Sequence, residues 1–168
     1  MKKAIVIIAL VAMIIVPVAA KSVLPTSGNN VSAIGLEIGL PGVTGITFDY
    51  KIDSKWDGYA TVAFGFGNGT YINALVGGQY KVTDFKIDKA QFDVNVGLQG
   101  GANIYIGDVS GVALAFRGTA AVSYDWNWKD LGDFSAYLRA GFGYAIGLSS
   151  GVSGGFSWNV GLGCVRYF

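Results

Sequence analysis

Large aliphatic and aromatic side chains recur at every second position along most of this chain, and in eight strand-like stretches they fall mainly on even-numbered residues. Between Phe92 and Ile106 the even set is Phe92, Val94, Val96, Leu98, Ala102, Ile104 and Ile106, whereas the odd set holds Asp93, Asn95, Gln99, Asn103 and Tyr105. A period of two marks extended backbone with one apolar and one polar face. Breaks rich in Gly, Pro, Asn, Asp and Ser place the strands at 31–40, 43–52, 58–67, 70–82, 91–106, 111–128, 134–147 and 155–168. Pro41-Gly42 and Asn68-Gly69 predict tight hairpins, the second being the pair that a type I′ turn favours. Short turns make neighbouring strands antiparallel, so the pattern predicts an all-β, eight-stranded, antiparallel up-and-down barrel.

The same alternation fits a soluble barrel with its greasy face inside or a transmembrane barrel with that face outside. Composition separates the two. Charged residues make up only 14% of the chain and its polar face is mostly glycine, alanine, serine and threonine, whereas a dissolved barrel needs an outer face rich in Lys and Glu. Small residues suit the narrow interior of an eight-strand barrel, leaving the aliphatics to face lipid. Tyr50, Tyr80, Phe92, Tyr124, Trp126, Trp128 and Phe168 fall at one rim and Phe66, Tyr144, Phe156 and Trp158 toward the other, as interfacial girdles do. Arg166 is the one strand charge on an even position, placed to snorkel near the C-terminus.

The N-terminal residues set the compartment. Lys2 and Lys3 precede an apolar run of 13 residues, Ala4 to Val16, and Val18-Ala19-Ala20 offers a small-residue cleavage site, which is a secretory signal peptide over 1–20. The run is shorter than the ~20 residues that span a bilayer as a helix. A short periplasmic leader over 21–30 is expected to precede the barrel at 31–168. Loss of the two leader lysines takes the formal charge from +1 to −1, so nothing electrostatic favours a nucleic-acid partner. The single cysteine, Cys164, forms no intramolecular disulfide and reads as a small hydrophobe on the apolar face.

The odd-numbered strand charges are Glu37, Asp49, Asp93 and Asp125 against Lys51, Lys81, Arg117 and Arg139. A charge in a narrow lumen is costly unless paired, so these eight are expected to form one interior network, with Glu37, Arg117 and Arg139 near mid-height. The bland reading is a packed polar core, and the sharper one is a gate for ions or very small solutes. With both termini in the periplasm, hairpins near 41–42, 68–69, 107–110 and 148–154 face outward and carry one charge, Asp108. The connections with Asp53, Lys55 and Asp57, with Asp84, Lys86, Asp88 and Lys89, and with Lys129, Asp130 and Asp133 face inward. Short outer loops disfavour a surface-binding protein.

The closing Val165-Arg166-Tyr167-Phe168 resembles the terminal aromatic signal that outer-membrane barrels present to their assembly machinery. With Gly35-Leu36-Glu37-Ile38-Gly39-Leu40-Pro41-Gly42, and loosely over the rest of the mature chain, it also resembles a family of small OmpA-like barrels of unknown function from spirochaete outer membranes. The resemblance implies an integral protein of the outer membrane of a diderm bacterium, monomeric, with outer-membrane lipid and the barrel-assembly machinery as partners, the latter through Arg166, Tyr167 and Phe168. Small outer-membrane barrel enzymes resemble one another in using a catalytic histidine, and this chain has none. Ser123 with Asp125 is the pair to suspect of nucleophilic chemistry, but i and i+2 side chains on a strand stand ~7 Å apart. Asp125-Trp126-Asn127 with Asp130 has some calcium-loop character without the required Gly and closing Glu. No enzymatic activity and no cofactor are therefore expected.

Overall fold

The computed structural model describes residues 31–41, 43–67, 69–106, 110–149 and 151–168. The expected signal peptide and leader, Gly42 and Asn68 of the two predicted turns, and Asp108 lie outside these residues. Eight strands, β1 (Val31–Leu40), β2 (Val43–Lys51), β3 (Trp56–Gly67), β4 (Gly69–Ile87), β5 (Ala90–Ile106), β6 (Gly111–Trp128), β7 (Gly132–Gly147) and β8 (Gly155–Tyr167), follow one another around a closed barrel. All neighbours are antiparallel, and β1 meets β8 from Ala33–Tyr167 to Leu40–Val160. The mouth holding Val31 and Tyr167 is termed the terminal mouth and the opposite one the distal mouth.

The period-two pattern is realised as an inverted molecule. Polar odd residues such as Thr47, Thr61, Asn95, Gln99, Thr119 and Asn159 are buried inside. Apolar even residues stand on the outer wall, where Leu98 is 74% and Phe156 72% exposed. A contiguous apolar exterior of this kind far exceeds the few hundred Å² found on water-soluble monomers. Near the terminal mouth the outer aromatics touch in series: Phe85 stacks on Phe92 at 5.3 Å, and contacts continue through Tyr124 and Trp126 to Phe134 at 5.3, 5.7 and 5.5 Å. Trp56 and Tyr80 extend the belt at 5.0 Å.

The strands run longer than the sequence pattern predicts at three places, each for a local reason. β4 and β5 continue to Ile87 and from Ala90, joined by a two-residue turn in which Asp88 takes φ 54°, a conformation Asp tolerates better than most residues. A bulge at Val82 shifts the register between Lys81 and Thr83. Beyond it the faces exchange parity, so Phe85 pairs with Phe92 on the outer wall and Asp84 with Asp93 on the inner. β3 begins at Trp56 and β7 at Gly132, which moves Asp57 and Asp133 from expected connections onto inward strand positions.

Candidate functional site

The lumen is built in layers, and glycines on the inner wall make room for them. Tyr59 pairs across the strands with Gly77 and Tyr137 with Gly163. In both pairs the tyrosine ring covers the glycine so closely that a Cβ there would fall on ring atoms. Gly161 similarly lies beneath the carboxylate of Glu37. Large odd-numbered side chains can thus lie flat across a bore that is otherwise only wide enough for small ones.

The central layer is organised by Arg139, which is 3% exposed. Its guanidinium lies 3.5 Å from the ring centre of Tyr59 and 4.4 Å from that of Tyr137, an aromatic sandwich favourable to a desolvated cation. Arg139 Nη1 is 3.3 Å from Glu37 Oε2 and Nη2 is 4.0 Å from Asp49 Oδ1. Tyr137 Oη donates to the same Glu37 oxygen at 2.7 Å. Tyr59 Oη donates to Gln99 Oε1 at 2.9 Å, and Gln99 Nε2 to Asn159 Oδ1 at 3.0 Å. Hydrogen bonds and ring contacts therefore join β1, β3, β5, β7 and β8 across the bore.

Toward the terminal mouth the charges pair in wetter surroundings. Lys51 Nζ is 2.6 Å from Asp125 and Lys81 Nζ 2.7 Å from Asp93, with side chains 20–32% exposed. Lys51, Asp57, Asp93 and Asp125 line a void of about 30 Å³, room for a water or two. Asp133 is almost fully buried and accepts from Asn127 Nδ2 at 2.6 Å. Asp125, Trp126 and Asn127 therefore belong to strand rather than to an ion-binding loop. Ser123 accepts from Asn95 at 3.2 Å while Asp125 holds Lys51, so neither member of the Ser123–Asp125 pair is turned to activate the other. Among the described residues no cluster of three or more His, Cys, Asp or Glu is arranged to hold a metal.

Arg117 stands apart from the other seven charges. The β6–β7 register sets it opposite Gly143, whereas Arg139 lies opposite Ala121, four residues along β6 toward the terminal mouth. The Arg117 guanidinium bonds a hydroxyl rather than an acid. Nε and Nη2 donate to Ser157 Oγ at 2.9 and 2.6 Å. Nη1 has no partner, and no carboxylate among the described residues lies within ion-pair distance. The Arg117 side chain borders a cavity of about 290 Å³ that is also lined by Asn73, Asn103, Tyr71 and Asn159.

The sequence reading located the eight charges but missed Asp57 and Asp133 as inward acids, and it passed over the tyrosines and amides that connect the layers. Tyrosine on odd positions, out of phase with the apolar face, was the available signal. At the C-terminus Arg166 points outward with its guanidinium 5.8 Å from the Phe134 ring centre, and Tyr167 points inward beneath Lys51. The Phe168 amide donates to Ser32 O at 3.0 Å, and the Phe168 side chain is exposed. No protein-family model, curated protein or solved structure matches this chain.

Proposed function

We propose that the chain is an integral outer-membrane barrel of a diderm bacterium, monomeric and non-catalytic, whose role is structural and whose lumen is closed by the Glu37–Tyr59–Tyr137–Arg139 layer. The observation that carries this reading is the inversion of polarity, with exposed apolar side chains over the outer wall and buried Asn, Gln, Thr, Arg and Glu within. Only a hydrocarbon surround makes that arrangement favourable, and a closed barrel leaves no open sheet edge along most of its circumference. The belt from Phe85 to Phe134, with Arg166 over it, supports an interfacial level at the terminal mouth. The resemblance of Val165-Arg166-Tyr167-Phe168 to an assembly signal supports handling by the barrel-assembly machinery and kinship with small OmpA-like barrels. The lack of histidine supports a non-catalytic role.

The test is site-specific labelling of single cysteines in a Cys164→Ala background, with the protein refolded into lipid vesicles. Val96 is outward and Asn95 is 4% exposed inside the bore. A lipid-phase probe should react at Val96→Cys and not at Asn95→Cys, and the reverse outcome would overturn the reading. A gated pore built on Glu37, Arg117 and Arg139 is the competing function. In planar bilayers the folded protein should be silent, and steady openings altered by Arg139→Ala would replace the structural role with conduction.

A further inference from the structure

The wall of the barrel is breached beside Arg117. β1 stops at Leu40, opposite Val160, but β8 begins five residues earlier at Gly155. From Gly155 to Asn159, β8 is paired only with β7, so its other edge is open above the short β1–β2 hairpin. The cavity around Arg117 reaches through this notch. Its lining includes the inward Arg117, Asn73 and Ser157 and also the outward-facing Leu40, Trp158 and Val160, with Glu37, which is held by Tyr137 and Arg139, at its edge.

A second hollow continues from the first on the outer wall. It is an apolar groove of about 530 Å³ formed by Ile38, Leu40, Leu138, Val160 and Leu162, and it shares Leu40 and Val160 with the inner cavity. The polar pocket inside the bore and the greasy groove outside thus meet at one place, the Leu40–Val160 pair at the end of the β1–β8 ladder. The pocket contains a guanidinium that is 5% exposed, with one unpartnered nitrogen, and an Asn73 Oδ1 that also lacks a partner. A buried, uncompensated cation is costly in its own right, and an anion entering beside it would replace lost hydration with charge-assisted hydrogen bonds.

We propose that this notch is a binding site for a membrane amphiphile with an anionic head. The head, a carboxylate or phosphate, is held by Arg117 Nη1 within the lumen, and the acyl chain passes out over the Leu40–Val160 pair, the last rung of the β1–β8 ladder, to lie along Ile38, Leu138 and Leu162. Ser157 is the residue that presents the guanidinium. The proposal rests on the membrane reading, because the groove receives a chain only where lipid surrounds the wall.

The experiment uses the mature protein refolded in uncharged detergent, with folding verified by heat-modifiable mobility, and measures equilibrium binding of radiolabelled oleate. Acetate, inorganic phosphate and phosphatidylglycerol serve as competitors. One oleate per barrel is expected, with acetate and phosphate unable to displace it. Displacement by phosphatidylglycerol assigns the site to lipid phosphate as well as carboxylate, and failure to displace assigns it to free fatty acids; either supports the proposal. Arg117→Gln should weaken binding at least tenfold. Ser157→Asp places a carboxylate where a hydroxyl stands 2.6 Å from Nη2, so it should abolish oleate binding while leaving the barrel as stable as before or more so. Equal binding by both variants, displacement by acetate or phosphate alone, or no binding by folded protein would each overturn the proposal. Failure of the chain to fold into detergent and bilayers would instead remove the membrane reading on which it stands.

Discussion

Replacing Gly163 by alanine adds one methyl group to a place already filled by the ring of Tyr137. The glycine lies directly across from Tyr137, and its missing Cβ coincides with the far end of that ring. Tyr137 is 4% exposed and packs with Ala33, Val165 and Tyr167 on one side and Arg139 on another, and the void it borders, about 30 Å³, is too small to take the ring. Overpacking of this kind costs ~1–3 kcal/mol. Displacing the ring also breaks the 2.7 Å bond from Tyr137 Oη to Glu37, and a hydrogen bond to a charged group contributes ~1.5–3 kcal/mol. Together they predict a loss of about 2.5 to 6 kcal/mol, which at an m value of ~2 kcal/mol/M lowers the urea midpoint by more than 1 M. The assay is urea unfolding of the refolded barrel followed by tryptophan fluorescence and by heat-modifiable mobility.

Two companion variants isolate the cause. Gly118→Ala faces outward with its nearest neighbour, Phe142 O, at 4.0 Å, and it should change stability by no more than ~0.5–1 kcal/mol, in the stabilising direction. In a Tyr137→Ala background Gly163→Ala should be nearly harmless, giving a coupling of several kcal/mol, at or above the ~0.5–3 kcal/mol usual for contacting residues. If Gly163→Ala is as mild as Gly118→Ala, or if its cost persists without the Tyr137 ring, the ring-over-glycine account is wrong.

Other consequences follow from the same layers. Arg139→Ala leaves Glu37 and Asp49 buried without their cation and should cost ~3–5 kcal/mol in the same unfolding assay. Lys51→Ala breaks a pair whose members are 20% and 32% exposed, so it should cost at most ~1 kcal/mol; an equal loss for the two would contradict the layered description. Deleting Val82 should be tolerated, because it removes the bulge and leaves Thr83 paired with Val94 and Phe85 with Phe92. A one-residue deletion elsewhere in a strand turns every later side chain to the other face. Unfolding midpoints for Val82 and Val76 deletions, the second being severe, would check the contrast.

Strand number, order and facing were legible because period-two alternation survives wherever one face must be apolar and the other polar. Alternation also explains where the reading stopped. It ended the fourth strand at 82, where the bulge exchanges parity, and the hairpin out to Ile87 and Ala90 became visible only through pairing. The eight lumen charges could be enumerated, but which acid meets which base depends on barrel closure and register. Nothing local in Gln99, Arg117 or Asn159 indicates that Gln99 and Asn159 bond each other across the bore while Arg117 takes Ser157. Four acids opposite four bases suggested complete pairing, whereas Asp57 and Asp133 tip the terminal half toward acid and Arg117 takes only a hydroxyl. Tyrosines over glycines were hidden for a similar reason, since each pair joins residues of different strands.

The open edge of β8 has a consequence for the bilayer itself. Backbone N–H and C=O groups that face β1 between Gly155 and Asn159 have no strand partner, and hydrocarbon offers them none, at a cost of several kcal/mol per group. In the outer-membrane setting proposed above, the acyl region on this flank would therefore end near the level of Leu40 and Val160, although β7 and β8 rise five residues further, about 13 Å in height at ~3.3 Å per residue and a ~40° tilt. In that setting the exposed edge would sit among headgroups and water rather than acyl chains, and a barrel otherwise sealed to lipid would carry one wet seam beside its shortest hairpin.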